Sequence, residues 1–158
     1  MTHSIRRATQ DDLPTLSGWT LALQHYEAEH GRAMLPVVDD LPVHLQKWIH
    51  DLLSTPNALL LVAEQGSAPL GFALGFLHTQ PNPFTPFQSH GVIQLLWVDD
   101  EWRGQGIARD LVGQLVAVFK DAGAGYIEVQ HIAANVPAAS FWQDAGFDVC
   151  GVTRRKFL

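Results

Sequence analysis

The spacing of apolar residues changes character along this 158-residue chain. A short run, Ser4-Ile5-Arg6-Arg7-Ala8-Thr9, predicts a strand, and Asp11-Asp12 then marks a helix start. Leu13, Leu16, Trp19, Leu23 and Tyr26 follow at helical spacing. His25 to Val38, with Gly31 and Pro36, predicts a loop. A second helix is expected from about Asp40 to Ser54, with Val43, Trp48, Ile49, Leu52 and Leu53 on its inner face. The period then shortens. Residues 57–66, 69–80 and 91–98 are apolar, strand-like runs, with a tight turn at Gly66-Ser67 and a longer connection over 81–90. Ile107, Leu111, Val112, Leu115, Val118 and Phe119 form the clearest helical stripe, ended by Gly123 and Gly125. Residues 126–132 read as a strand, Pro137 as the first turn of a short helix stopping at Gly146, and 147–158 as a closing strand. The order β-α-α-β-β-β-α-β-α-β predicts a mixed α/β, or α+β, fold around one sheet, with hairpins first and one β-α-β crossover.

Composition narrows the partners. Apolar residues at 47% and charged residues at 16% indicate a globular chain, and its length suits one domain over residues 1–158. A net charge of −6 gives no global basic field, so nucleic acid is not an expected partner. The lone Cys150 forms no internal disulfide, and no Cys/His ligand spacing is present, so no metal is expected. No run reaches the ~18 apolar residues of a membrane span, and a cytoplasmic protein with no membrane partner is the expectation.

The candidate chemistry lies where the third long strand gives way to the clearest helix, at Asp99-Asp100-Glu101-Trp102-Arg103-Gly104-Gln105-Gly106. Glycine lets the backbone come close and take conformations barred to other residues. The first-turn N–H groups of the helix have no intrahelical acceptors, and the helix dipole adds positive potential there. That is an anion site, with phosphate the obvious guest. No Gly-x4-Gly-Lys-Ser/Thr string exists, and a dinucleotide fingerprint would need glycine where Arg109 stands.

Arg103-Gly104-Gln105-Gly106-Ile107-Ala108 resembles the Arg/Gln-x-x-Gly-x-Gly/Ala pyrophosphate loop of the GNAT superfamily of acyl-CoA-dependent N-acetyltransferases. A second segment is in register with it: Asn135, then Phe141-Trp142, then Gly146-Phe147. The opening Ile5-Arg6-x-Ala8-Thr9 and the element order are also similar to that family. The resemblance spans nearly the whole chain. It implies one mostly antiparallel mixed sheet flanked by helices, and transfer of an acetyl group from acetyl-CoA to a primary amine in a ternary complex. It implies a bulged strand at Gln94–Val98, where Leu96, Trp97 and Val98 meet the pantetheine arm through the main chain and an N–H of Trp97 or Val98 faces the acetyl carbonyl. Arg103, Gly104, Gln105, Gly106, Ile107 and Ala108 would hold the pyrophosphate, with Arg109 adding charge. Asn135 would contact the pantetheine amide, and Ser140 the phosphates or pantetheine.

One position departs from the family. Many members have tyrosine where this chain has Trp142, and an indole N–H cannot protonate a departing thiolate. A base is still required, because an amine of pKa about 10 is protonated near neutrality. Glu27, Glu29, His131 or water chains off Asp99 or Gln94 are the candidates, with Glu27 and His131 carried forward.

Each feature also has a plainer reading. Asn135 could cap the helix at Pro137; His131 could be a partly buried residue on the face of Ile127 and Val129; Trp142 could pack on Phe147. His25–His30 reads as a solvated helix end or a substrate wall. Phe84 and Phe87 could be a lip over the cleft or part of a dimer contact, or loop hydrophobes that simply pack down. Arg154-Arg155-Lys156 would protect a terminal strand from stray pairing. The missing tyrosine, together with the lack of a glutamate in the strand at 91–98 that some relatives use as a base, keeps a second reading alive, an acyl-CoA-binding or regulatory module without turnover. The acceptor is a small-molecule or peptide amine, and because dimers are common in the family the resemblance admits a homodimer.

Overall fold

Three apolar runs in the middle of the chain pair with one another because each must bury both faces. In the computed structural model, which describes residues 2–158, they are β2 (Ala58–Gln65), β3 (Ala68–His78) and β4 (His90–Val98). A short β1 (Ser4–Arg7) and β5 (Ile127–Val129) complete a five-stranded sheet of order β1-β2-β3-β4-β5. All pairings are antiparallel except β4 with β5, which is parallel. Along β2, Leu59, Leu61 and Ala63 enter one core while Leu60 and Val62 enter the other. An unbroken apolar run is what such a two-sided strand needs.

Helices α1 (Leu13–His30) and α2 (Leu41–Leu52) cover one face; α3 (Ile107–Asp121) and α4 (Val136–Asp144) cover the other. Leu16, Ile49, Phe72 and Leu74 anchor the first core. Ile107, Leu111, Leu115 and Phe119 of α3 anchor the second against Ala73 and Ile93. Each such side chain contributes about 1.5–3 kcal/mol of burial. Gly75 and Gly91 leave the space that the Phe119 ring fills, which seats α3 close on β3 and β4. At the start of α1, buried Asp12 accepts from Arg6 Nη1 at 2.7 Å, Arg6 Nη2 at 2.9 Å and the Thr9 amide at 2.7 Å. The Arg6 hydrogen bonds hold its carboxyl below the ordinary range.

Four expectations are corrected. His25–His30 is not loop but the last turns of α1, because the Leu23-Tyr26 spacing continues and the Tyr26 and His30 rings stack at 4.2 Å. On α2, Leu45 and not Val43 faces the core; Val43 is exposed. The strand expected over 126–132 is only three residues long. The closing strand over 147–158 does not form among the described residues: after Phe147 the chain is exposed and irregular. Arg155 therefore guards no strand; its Nη1 donates to the Ala33 carbonyl in the loop after α1.

Candidate active site

The site originates in a register error built into β4. Leu74 of β3 pairs with Leu95, but Gly75 pairs with Ile93, so Gln94 is an extra residue, a β-bulge. The bulge reverses the strand's alternation. Before it, Ile93 faces the α3 core; after it, Leu96 and Val98 face that core and Leu95 and Trp97 face the α1 side. The parallel pairing with β5 stops at the same point, at Ile93 with Val129. Beyond it the two strands part, and the β4 main chain on that side has no strand partner. A cavity of about 330 Å³ fills the opening.

Both ends of that cavity are set by helix termini. Gly104 and Gly106 take left-handed conformations, with φ of +75° and +84°, and nothing lies within 4 Å of where a side chain would project from either. Gly106 is the N-cap of α3, and its carbonyl accepts the first intrahelical bond from Asp110 at 3.0 Å. The amides of Ile107, Ala108 and Arg109 therefore stand ahead of the helix ladder. Ile107 sends its side chain into the core, so only its backbone serves this end; Ala108 lines the cavity; Gln105 and Arg109 are exposed.

Arg103 is already engaged. Its Nε donates to the Val98 carbonyl at 2.9 Å, its Nη2 pairs with Asp100 at 2.8 Å, and its guanidinium lies 5.0 Å from the centre of the Trp97 ring. It ties the glycine turn to the end of β4. The Trp97 Nε1–H is buried without a partner.

Across the opening, Asn135 lines the cavity and caps α4, its Oδ1 accepting from the Ala138 amide at 3.1 Å. The capping role foreseen for it is present, and its amide NH2 group is not consumed by it. Trp142 is buried with its ring edge-to-face against Phe141 at 4.9 Å and Phe147 at 5.2 Å. It packs, as the plainer reading held, and it also lines the cavity. Ser140 is exposed and does not line the cavity.

The remaining wall is α1, which supplies Leu23, Tyr26 and Glu27. Burial without a compensating cation pushes the Glu27 carboxyl above the ordinary carboxylate range. His131 lines the opposite rim, but not as a buried strand residue. β5 ends at Val129, so His131 is exposed, its Nδ1 3.0 Å from the Ile132 carbonyl. A donor at Nδ1 leaves the Nε2 lone pair free. Glu29 is exposed and does not line the cavity. Tyr26 and Phe141 also line it and were not singled out as site residues; the signal for Tyr26 was its helical spacing after Leu23. Far from this opening, Phe87 packs edge-on against Tyr126 at 5.7 Å, while Phe84 is 95% exposed.

A bulged strand parting from its parallel neighbour beside a left-handed glycine turn is the arrangement that the resemblance to the GNAT superfamily implied. Residues 19–147 match the acetyltransferase (GNAT) family, and the chain belongs to it. Among curated proteins, mycothiol acetyltransferase of Nocardiopsis dassonvillei is 25% identical over 129 residues, 82% of this chain and 38% of that protein. The chain thus spans little more than a third of that relative. Three solved structures share the fold. A transcriptional regulator from Bacillus halodurans superposes with a TM-score of 0.80 at 21% identity, over 99% of this chain and 100% of the other. A protein described as a predicted acetyltransferase from Clostridium acetobutylicum, solved with acetyl-CoA, gives 0.77 at 17% identity, over 99% and 96%. An aminoglycoside acetyltransferase from an uncultured soil metagenomic sample, solved with sisomicin, gives 0.68 at 22%, over 99% and 96%.

No helix among the described residues is long and apolar enough to cross a membrane, and no group of three or more metal-ligating side chains gathers among them.

Proposed function

We propose that this chain transfers an acetyl group from acetyl-CoA to a primary amine by direct attack in a ternary complex. The observation that carries this reading is the opening of β4 from β5 next to the two left-handed glycines. The residues fit the donor. Main chain over Leu96–Val98 with no strand partner on the β5 side suits the pantetheine arm, and the open space where side chains of Gly104 and Gly106 would project, next to the first-turn amides of α3, suits a diphosphate. Asn135 borders the arm. Arg109 supplies positive charge for the phosphates, whereas Arg103 acts through its hold on Val98.

In the transfer, the neutral amine nitrogen attacks the thioester carbonyl carbon and a C–N bond forms; as the C–S bond breaks, the nitrogen gives up a second proton, which reaches the departing thiolate through water. An N–H of Trp97 or Val98 stabilises the developing oxyanion, a contribution of about 2.7–4 kcal/mol in comparable sites. The ammonium proton passes to Glu27, the carboxylate lining the cavity, or through water to His131 Nε2. General-base help of this kind is worth about 10²–10⁴ in rate. Cys150 is exposed and away from the cavity, so no covalent enzyme intermediate is invoked.

The buried Trp142 favours one rival, a protein that binds acyl-CoA without turnover, since position 142 carries no phenol to protonate the thiolate and the phenol that lines the cavity, Tyr26, stands on the α1 wall. Free thiol released from acetyl-CoA in the presence of an amine library, set beside calorimetric binding of acetyl-CoA, separates the two. Turnover above the amine-free rate supports transfer; tight binding with no amine-dependent thiol supports the rival. Absence of binding sinks both.

A further inference from the structure

The geometry points to the acceptor as a primary monoamine with a compact apolar body, and not a polycation. This rests on the acyl-transfer reading above and concerns only the α1 side of the cavity. Two observations carry it. First, Glu27 is the only carboxylate among the described residues lining the opening, and Arg103, the only Lys or Arg there, is already paired with Asp100. One half-buried carboxylate with no cation partner can neutralise one ammonium. A second ammonium in the same space would have to lose its water without a counter-charge, which is unfavourable.

Second, the walls around that carboxylate are apolar or aromatic: Leu23, Tyr26, Leu95 and Trp97. Apolar surface of this kind recovers free energy from a hydrocarbon or aryl group, not from a second charged amine. The net charge of −6 draws amines of every kind to the molecule, so selection among them falls to the cavity itself. The proposed acceptor therefore differs from the sisomicin bound in the metagenomic structure of the same fold.

The test uses the full chain with saturating acetyl-CoA and four acceptors: phenethylamine and hexylamine as apolar monoamines, spermidine and sisomicin as polycations. Thiol release should give kcat/KM at least tenfold higher for the two monoamines. Equilibrium binding of phenethylamine and of spermidine to the CoA-saturated protein should show the same order without turnover. Equal or reversed order in turnover overturns the inference while leaving acetyl transfer standing. No thiol from any of the four, with acetyl-CoA still bound, removes the transfer reading and this inference together. Introducing a second carboxylate by Tyr26→Glu should raise spermidine turnover relative to phenethylamine at least fivefold; an unchanged ratio also counts against it.

Discussion

The two walls of the cavity are built from different materials. On the α3 side, the glycine turn, the first-turn amides and the parted β4 main chain offer backbone groups whose positions follow from φ angles and register. On the α1 side, Leu23, Tyr26 and Glu27 offer side chains on one helical face, and their chemistry changes with any substitution. A backbone wall is suited to a donor that never varies; a side-chain wall is suited to an acceptor that does. The first tolerates side-chain changes that leave the main chain in place. The second tolerates almost none that alter charge.

Substitutions should split along this division. The largest effect is expected from Glu27→Gln, which should lower kcat about 10³-fold while leaving the dissociation constant for acetyl-CoA unchanged. Because burial raises the Glu27 carboxyl, and the base must be ionised to act, wild-type kcat/KM should fall as pH drops through a value above that of a solvated glutamate. The Gln variant should lack that acid limb, and His131→Gln should keep it, though Tyr26, His131 and Arg103 share the cavity. A limb surviving in Glu27→Gln would move the base elsewhere.

Next comes Gly106→Val, a β-branched residue at φ +84°. It should weaken acetyl-CoA binding about 100-fold by calorimetry, since the left-handed turn alone costs roughly 1–2 kcal/mol for a side chain and refolding the turn misaims the amides. Unchanged donor affinity would end the backbone-wall account.

Asn135→Asp sharpens the same wall. It keeps an oxygen acceptor for the Ala138 amide and discards the NH2 group. Thermal stability should stay within about 0.5 kcal/mol of wild type, while donor affinity should drop about tenfold. A loss of stability with no loss of affinity would reduce Asn135 to its cap. The smallest effect is expected from Gly113→Ala in the exposed middle of α3, where a new methyl meets no atom within 4 Å. Denaturant unfolding should show a gain of about 0.5–1 kcal/mol, with kinetics unchanged.

Much of this was legible in the chain, and unevenly so. The stripe from Ile107 to Phe119 and the two-sided runs of β2 to β4 follow from period alone, because those segments must bury what they carry. Gly104 and Gly106 were legible as a turn because glycine at a strand-to-helix junction has few other uses. The end of α1 was misread, since His25–His30 is polar enough to pass for loop. Its helical state comes from Tyr26 facing the cavity and stacking on His30. Residues 147–158 carry a strand-like pattern but join no ladder and stay exposed, because a strand is made by pairing with a distant segment and not by local pattern alone.

What the sequence determined by itself is local: which segments are amphipathic, which are buried on both faces, and where a left-handed turn must precede a helix. Those are consequences of residue types within a few positions of each other. The tertiary structure alone decided that Gln94 is the extra residue of a bulge, and that β5 leaves β4 at Ile93. It also decided that Arg103 reaches back to Val98, and that Glu27 loses its water against β4. Each depends on which distant segment lies alongside, and pairing register and burial are properties of neighbours the local pattern does not name.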